Sequence, residues 1–134
     1  MDCLLEACTQ YLAAGNYEQA RLVTTRISNF LMRRGIYGEV ERLNQDLLTY
    51  QEHPDPMLFI GRAYMERGNY PAARRWSERS LEVAGEVQRG AVARAWHQLA
   101  TLDLRQGNYG AAQEKFQKAL AMRQELGDRA GFHV

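Results

Sequence analysis

The stretch RGNYPAARRWSERSL at residues 67–81 decides the fold of this chain, because its opening recurs three more times. The same Gly-x-Tyr element precedes a helix-forming sequence in AGNYEQARLVTTRIS (14–28), RGIYGEVERLNQDLL (34–48) and QGNYGAAQEKFQKAL (106–120). Glycine readily adopts the left-handed conformation that ends a helix, and the aromatic residue two positions later can begin the next one. The four elements therefore predict four corners at which one helix ends and another turns back.

The spacing of these corners indicates repeated helix pairs. The glycines at 15, 35, 68 and 107 are separated by 20, 33 and 39 residues. Intervals in the thirties are typical of stacked helix pairs that are each too small to bury an apolar face alone. Between the corners, apolar residues recur at three- and four-residue steps, as expected for amphipathic helices. A glycine inside one of these helices, Gly61, is predicted to mark a close approach between neighbouring helices.

Composition agrees with an all-α chain and excludes several classes of protein. The 134 residues favour one domain, and only three prolines interrupt a sequence rich in helix formers. A net charge of +1 gives no bulk attraction to nucleic acid or membranes. The two cysteines, Cys3 and Cys8, point to different faces of a helix, so a disulfide between them is not expected. We therefore expect a reducing, cytoplasmic location.

The corners divide the chain into a single domain over residues 1–134 with about seven helices. We expect a leader helix at 2–14, helix pairs at about 17–50, 55–84 and 90–126, and the start of a further helix at 128–134. Repeat arrays need closing helices with a polar outer face, and no such ending is evident in the sequence. The chain is therefore predicted to be a fragment of a longer array, with a short natural protein that has a frayed tail as the alternative. Its apolar faces at 2–14 and 109–126 are expected to favour self-association.

Two segments, MLFIGRAYMERGNYPAARRWSERSL (57–81) and WHQLATLDLRQGNYGAAQEKFQKAL (96–120), resemble tetratricopeptide repeats. The family pattern is W-x2-L-G-x2-Y followed by A-x3-F-x2-A. The second segment matches it at Trp96, Leu99, Ala112, Phe116 and Ala119. It departs from the pattern at 103, where an aspartate stands in place of tyrosine. The resemblance implies a right-handed α-solenoid of antiparallel helix pairs.

The resemblance also implies a concave groove lined by the first helix of each pair, which binds a peptide or partner protein. Three arginines fall at equivalent positions on the first helices of the three pairs, and they are expected to favour an acidic partner. The alternative is that these arginines only offset helix dipoles at helix C-termini. Carried over by register, the groove residues are Thr25, Asn29, Arg33, Leu58, Arg62, Glu66, His97, Thr101 and Arg105.

A narrower resemblance concerns the segment QKALAMRQELGDRAG (117–131). It is similar to the repeat arrays that serve as sensor or scaffold arms in bacterial STAND-class signalling NTPases. The chain has no G-x4-G-K-[ST] phosphate-binding loop of its own. The resemblance therefore implies, as an alternative to peptide binding, an internal sensor or scaffold segment that packs against flanking repeats.

No constellation of catalytic or metal-binding residues emerges from the sequence, so we expect neither an enzyme nor a cofactor. His53, His97 and His133 are widely spaced and lack metal-site spacing. Ser77 and Ser80 lie within a helix with no histidine in reach along it. Nucleic-acid binding is the remaining alternative, through Arg33, Arg34, Arg74 and Arg75, but interleaved acidic residues argue against it.

Overall fold

A computed structural model of the chain describes the backbone of residues 2–85 and 88–129, with the side chains of 5–85 and 88–127. The predicted all-α fold is confirmed, since the described residues form seven helices and no strand. The helices are α1 (Asp2–Ala13), α2 (Tyr17–Arg33), α3 (Tyr37–Leu48), α4 (Pro54–Glu66), α5 (Tyr70–Ala84), α6 (Arg89–Arg105) and α7 (Tyr109–Arg129). Residues 128 and 129 continue α7. The rest of the predicted helix at 128–134 lies outside the described residues.

The helices stack in two layers. Each helix packs against the next one along the chain, and the short connections make these neighbours antiparallel. In addition, α4 packs closely against both α2 and α6, whereas the backbones of α3, α5 and α7 do not come close to one another within the described residues. Helices α2, α4 and α6 therefore form one continuous layer, and α3, α5 and α7 lie on its other side. Helix α1 covers the free side of α2.

The four Gly-x-Tyr corners form as the sequence predicts. Gly15, Gly35, Gly68 and Gly107 have φ values of 75°, 74°, 84° and 83°. After each glycine, the next N–H donates to a carbonyl five residues earlier, for example from Asn69 to Tyr64 at 2.9 Å. This hydrogen bond is the mark of the Schellman motif that ends helices. The Asn69 side chain then accepts from the Ala72 N–H and so caps the following helix.

The tyrosines of these corners do not all pack in the same way. Tyr17, Tyr37 and Tyr70 begin their helices and pack against clusters of buried residues. Tyr109 also begins its helix, but it is 69% exposed. The last corner thus differs from the other three, and no described helix follows α7.

Close packing between α4, α5 and α6 depends on Gly61, as predicted. Its Cα faces the Gln98 side chain of α6 and the Ser77 hydroxyl of α5, with no room for a methyl group between them. The Gln98 amide donates to Ser77 Oγ at 2.7 Å and to the Leu58 carbonyl at 3.2 Å. Ser77 in turn donates to the Ala73 carbonyl. The serine is therefore a buried structural residue that ties helices together.

A buried carboxylate joins the last three helices. Asp103 of α6 is 4% exposed, and it accepts hydrogen bonds from Arg74 of α5 at 2.8 Å and from Lys115 of α7. Burial acts to raise the pKa of Asp103, but the bonds from Lys115 and Arg74 hold it below its ordinary value. The residue that departs from the repeat pattern thus acts as an ionic link between helices.

Two further expectations concern the N-terminal region and membranes. Cys8 carries a free thiol that is buried against Ala20 and Thr24. The side chain of Cys3 lies outside the described residues.

Among the described helices, none is long and apolar enough to cross a membrane.

Candidate peptide-binding groove

The inner layer of α2, α4 and α6 forms a concave surface, here called the inner groove. Its central cavity has a volume of about 660 Å³, within the range of ligand sites. A second cavity of about 570 Å³ adjoins it near the C-terminal ends of α2 and α4. Asn29, Arg62 and Glu66 line both cavities, so the two form one continuous depression.

Most of the residues predicted for the groove lie together on this surface. Seven of the nine line the central cavity: Thr25, Asn29, Leu58, Arg62, Glu66, His97 and Thr101. Arg33 lines the adjoining cavity instead. Arg105 lines neither cavity, and its guanidinium donates to Glu66 at 2.9 Å. Of the three arginines placed at equivalent positions, only Arg33 and Arg62 therefore keep a guanidinium without a carboxylate partner among the described residues.

The sequence analysis missed five charged residues of the groove: Arg21, Arg26, Asp55, Arg94 and Arg123. Asp55 of α4 accepts from Arg21 of α2 at 3.0 Å and from Arg94 of α6 at 2.7 Å. This ionic bridge links all three inner helices at one end of the groove. The bridging residues lie three or four positions before Thr25, Leu58 and His97, so extending the register by one turn would have found them. Arg123, which reaches the groove from α7, had no such signal.

The groove carries more positive charge than the rest of the chain. Six arginines and two carboxylates line the two cavities, while the whole chain has a net charge of +1. Apolar side chains lie among these charges, including Leu22, which is 44% exposed, and the half-buried Phe59. The surface thus offers both cations and apolar contacts to a partner.

His97 lies on the wall of the groove between α6 and α7. Its ring meets the edge of the Phe116 ring, with 5.3 Å between the centroids. Burial lowers the pKa of His97, and the nearby Arg123 lowers it further. The imidazole is therefore neutral at neutral pH, and it contributes a polar aromatic surface without charge.

His53 caps the N-terminus of α4, beside the ionic bridge that Asp55 forms with Arg21 and Arg94. Its Nδ1 atom accepts from the Asp55 N–H at 3.1 Å, which makes it the N-cap of the helix. Burial lowers the pKa of His53; the Asp55 carboxylate opposes this shift, and the guanidinium groups of Arg21 and Arg94 add to it. A protonated imidazole cannot accept this hydrogen bond, so the folded chain disfavours the proton.

This cap should make stability depend on pH. Because the unfolded chain binds a proton at His53 more readily, the free energy of unfolding should fall as pH drops below the ordinary value of 6.5. His53→Asn keeps a capping acceptor, as Asn69 does in α5, and should make that fall smaller. Urea denaturation on either side of this pH tests it. Identical pH dependence in both proteins would contradict the cap assignment.

Other sequence features find structural roles in the described residues. Ser80 donates to the Pro54 carbonyl and is buried, like Ser77. Among the residues that the structure describes, no group of three histidine, cysteine or acidic residues is placed to hold a metal. The third histidine, His133, lies outside the described residues.

The arginines considered for nucleic-acid binding do not share a face. Arg33 and Arg34 lie at the end of α2, whereas Arg74 and Arg75 lie on α5, which does not contact α2. Arg34 stacks over the Phe30 ring at 4.8 Å, and Arg74 is engaged by Asp103.

Paired antiparallel helices, an inner layer with a groove and an outer layer behind it define this chain as a helical-repeat protein. A family model described as tetratricopeptide repeat matches residues 55–125, more than half of the chain. The chain therefore belongs to the tetratricopeptide repeat family, and the predicted resemblance is confirmed. Repeats of this family generally mediate protein–protein interaction and are typically non-catalytic. A comparison with curated proteins found no match.

Proposed function

We propose that this chain is a non-catalytic interaction module that binds an acidic segment of a partner protein in the inner groove. The observation that carries the proposal is the concentration of unpaired arginines around a cavity with an apolar floor. Arg26, Arg33, Arg62 and Arg123 line the groove, are exposed, and have no carboxylate partner among the described residues. Guanidinium groups bind carboxylates in bidentate geometry, which suits them to acidic side chains.

The shape of the groove also favours an extended segment over a small molecule. The two adjoining cavities run along the inner layer and share residues from α2 and α4. Leu22 and Phe59 supply apolar surface that a partner side chain can cover. Burial of such surface contributes roughly 25 cal/mol per Å², and the surrounding charges direct association and choice of partner.

A charge reversal on the inner face tests the proposal. Peptides selected on the wild-type chain from a random display library should be rich in Asp and Glu. Arg62→Glu should weaken their binding at least about tenfold, because it replaces an attraction in the groove by a repulsion. Fluorescence anisotropy of the labelled peptides measures the affinity.

The chain offers a matched control in Arg75→Glu. Arg75 lies on α5, in a hollow of the outer layer, and like Arg62 it is exposed and has no carboxylate partner among the described residues. The two variants carry the same change of charge, so non-specific electrostatics would affect both equally. We expect less than about a twofold effect for the outer variant, since it lies beyond close contact with a groove ligand. Equal losses in both variants would reject the groove.

Three finer expectations stay predictions. A role as internal sensor or scaffold segment of a larger signalling NTPase rests on the resemblance of residues 117–131.

Self-association is supported at the α7 end, where Leu104, Tyr109 and Leu120 are 46%, 69% and 54% exposed. Sedimentation over a concentration series tests it. A cytoplasmic location rests on cysteine usage. The scattered arginines described above do not favour nucleic-acid binding.

A further inference from the structure

The arginines of the inner groove divide into engaged and available ones. Asp55 engages Arg21 and Arg94 with distances of 3.0 and 2.7 Å, which neutralises much of the charge at that end. The Arg62 guanidinium lies 5.8 Å from the centroid of the Phe59 ring; the residue is exposed and has no carboxylate partner among the described residues. A ligand carboxylate therefore meets strong attraction only where the guanidinium groups are available.

The available arginines form two separate poles. On one side, Arg26, Arg33 and Arg62 surround the cavity at the C-terminal ends of α2 and α4. On the other side, Arg123 reaches the central cavity from α7. It lies close enough to His97 to lower the pKa of that residue. The central cavity, which Arg62 and Arg123 both line, also has four apolar lining residues: Leu22, Leu58, Phe59 and Met65.

We infer that the inner groove binds a segment in which an apolar side chain is flanked by a carboxylate on each side. One carboxylate pairs with the pole of Arg26, Arg33 and Arg62, the apolar side chain covers Leu22 and Phe59, and the second carboxylate pairs with Arg123. This inference rests on the proposed function and refines the class of its ligand. It also assigns a role in recognition to the outer helix α7, because Arg123 of this helix selects for peptides that carry the second carboxylate.

A segment with carboxylates on one side only would bind less well. It would leave the other pole partly covered without a counter-charge, and a desolvated, unpaired guanidinium is unfavourable. A uniformly acidic segment would place a charge over the apolar floor, where burial of an unpaired carboxylate is costly. The alternation of charge and apolar surface thus selects for a pattern as well as for net charge.

Synthetic peptides with a central leucine test this pattern. They carry a glutamate on both sides, on either side alone or on neither side, with the spacing varied. At the best spacing, the doubly flanked peptide should bind about tenfold more tightly than either singly flanked one. Arg123→Ala should reduce it to the affinity of one singly flanked peptide and leave the affinity of that peptide unchanged. Replacing all three arginines of the other pole in the triple variant Arg26→Ala, Arg33→Ala, Arg62→Ala should do the same for the other singly flanked peptide.

Arg75→Ala on the outer layer is the control and should leave every affinity unchanged. Equal binding by doubly and singly flanked peptides, or full binding by the Arg123→Ala variant, would overturn the two-pole inference while leaving groove binding intact. If no peptide binds, and the display selection yields none either, the proposed function fails and this inference fails with it. Because Arg123 is exposed, its replacement should leave the fold intact, and circular dichroism of each variant checks this.

Discussion

Replacing Gly61 with alanine is expected to lower the free energy of unfolding by about 2 kcal/mol, although alanine is the better helix former. A Cβ atom at this position would lie 2.6 Å from the Gln98 Nε2 atom and 3.3 Å from the Ala73 carbonyl oxygen. The Gln98 amide cannot move away freely, because it is buried and donates to Leu58 and Ser77. Either α4 shifts against α5 and α6, or a buried donor loses its partners, which costs about 1–3 kcal/mol.

Other glycines of the chain provide the control for this prediction. Gly38 and Gly110 also lie in helices, but a Cβ atom there would meet nothing within 4 Å. Alanine at either position should leave stability unchanged or raise it by up to about 1 kcal/mol. The double variant Gly61→Ala, Gln98→Ala should lose less stability than the sum of the losses in the two single variants. Gln98→Ala removes the side chain that the new Cβ atom would contact most closely. Urea denaturation measures all of these. Wild-type stability of Gly61→Ala would show that the helices are not closely packed here.

The second large effect is expected from Asp103→Asn, which keeps the shape of the side chain and removes its charge. At neutral pH the variant should lose about 2 kcal/mol, because Arg74 and Lys115 remain close together without a buried counter-charge. Both cations are partly exposed, so the loss should stay below that of a fully buried ion pair. The same replacement at Asp46, an exposed residue paired with Arg42, should change stability by less than about 0.5 kcal/mol.

Acid should remove the difference between the wild-type chain and Asp103→Asn. Because the folded state holds the pKa of Asp103 below its ordinary value of 3.8, its stabilisation is present above that pH. The stabilisation is lost as pH falls through the lower folded-state pKa, where the carboxyl group takes up a proton. The two stability curves should therefore converge in strong acid. Curves that stay parallel from neutral pH downwards would contradict the ionic link.

The corners could be predicted from sequence because they depend on local rules, and the inner register could be carried over from the resembling repeat family. A glycine that needs positive φ fixes where each helix ends, and the 3.6-residue period fixes which side chains share a face. Those rules also identified Gly61 as a point of close approach. The register of the resembling repeat family then placed Thr25, Asn29 and Thr101 on one surface.

The partners of charged residues could not be predicted in this way. Arg105 was expected to face a ligand, but it pairs with Glu66, which is 39 positions away in the sequence. Arg123 lies on an outer helix and reaches the groove only because of the way α7 crosses α6. Such pairs depend on the stacking of whole helices, which local periodicity does not determine.

Binding of a partner protein to the inner face of α2, α4 and α6 can be tested by amide chemical shifts of the labelled chain, recorded while a display-selected acidic peptide is added. We expect the largest changes along the groove, at Asn29, Arg62 and Thr101, with little change at Arg75 on the outer layer. Changes that cluster on α3 and α5, with the inner helices unaffected, would contradict it.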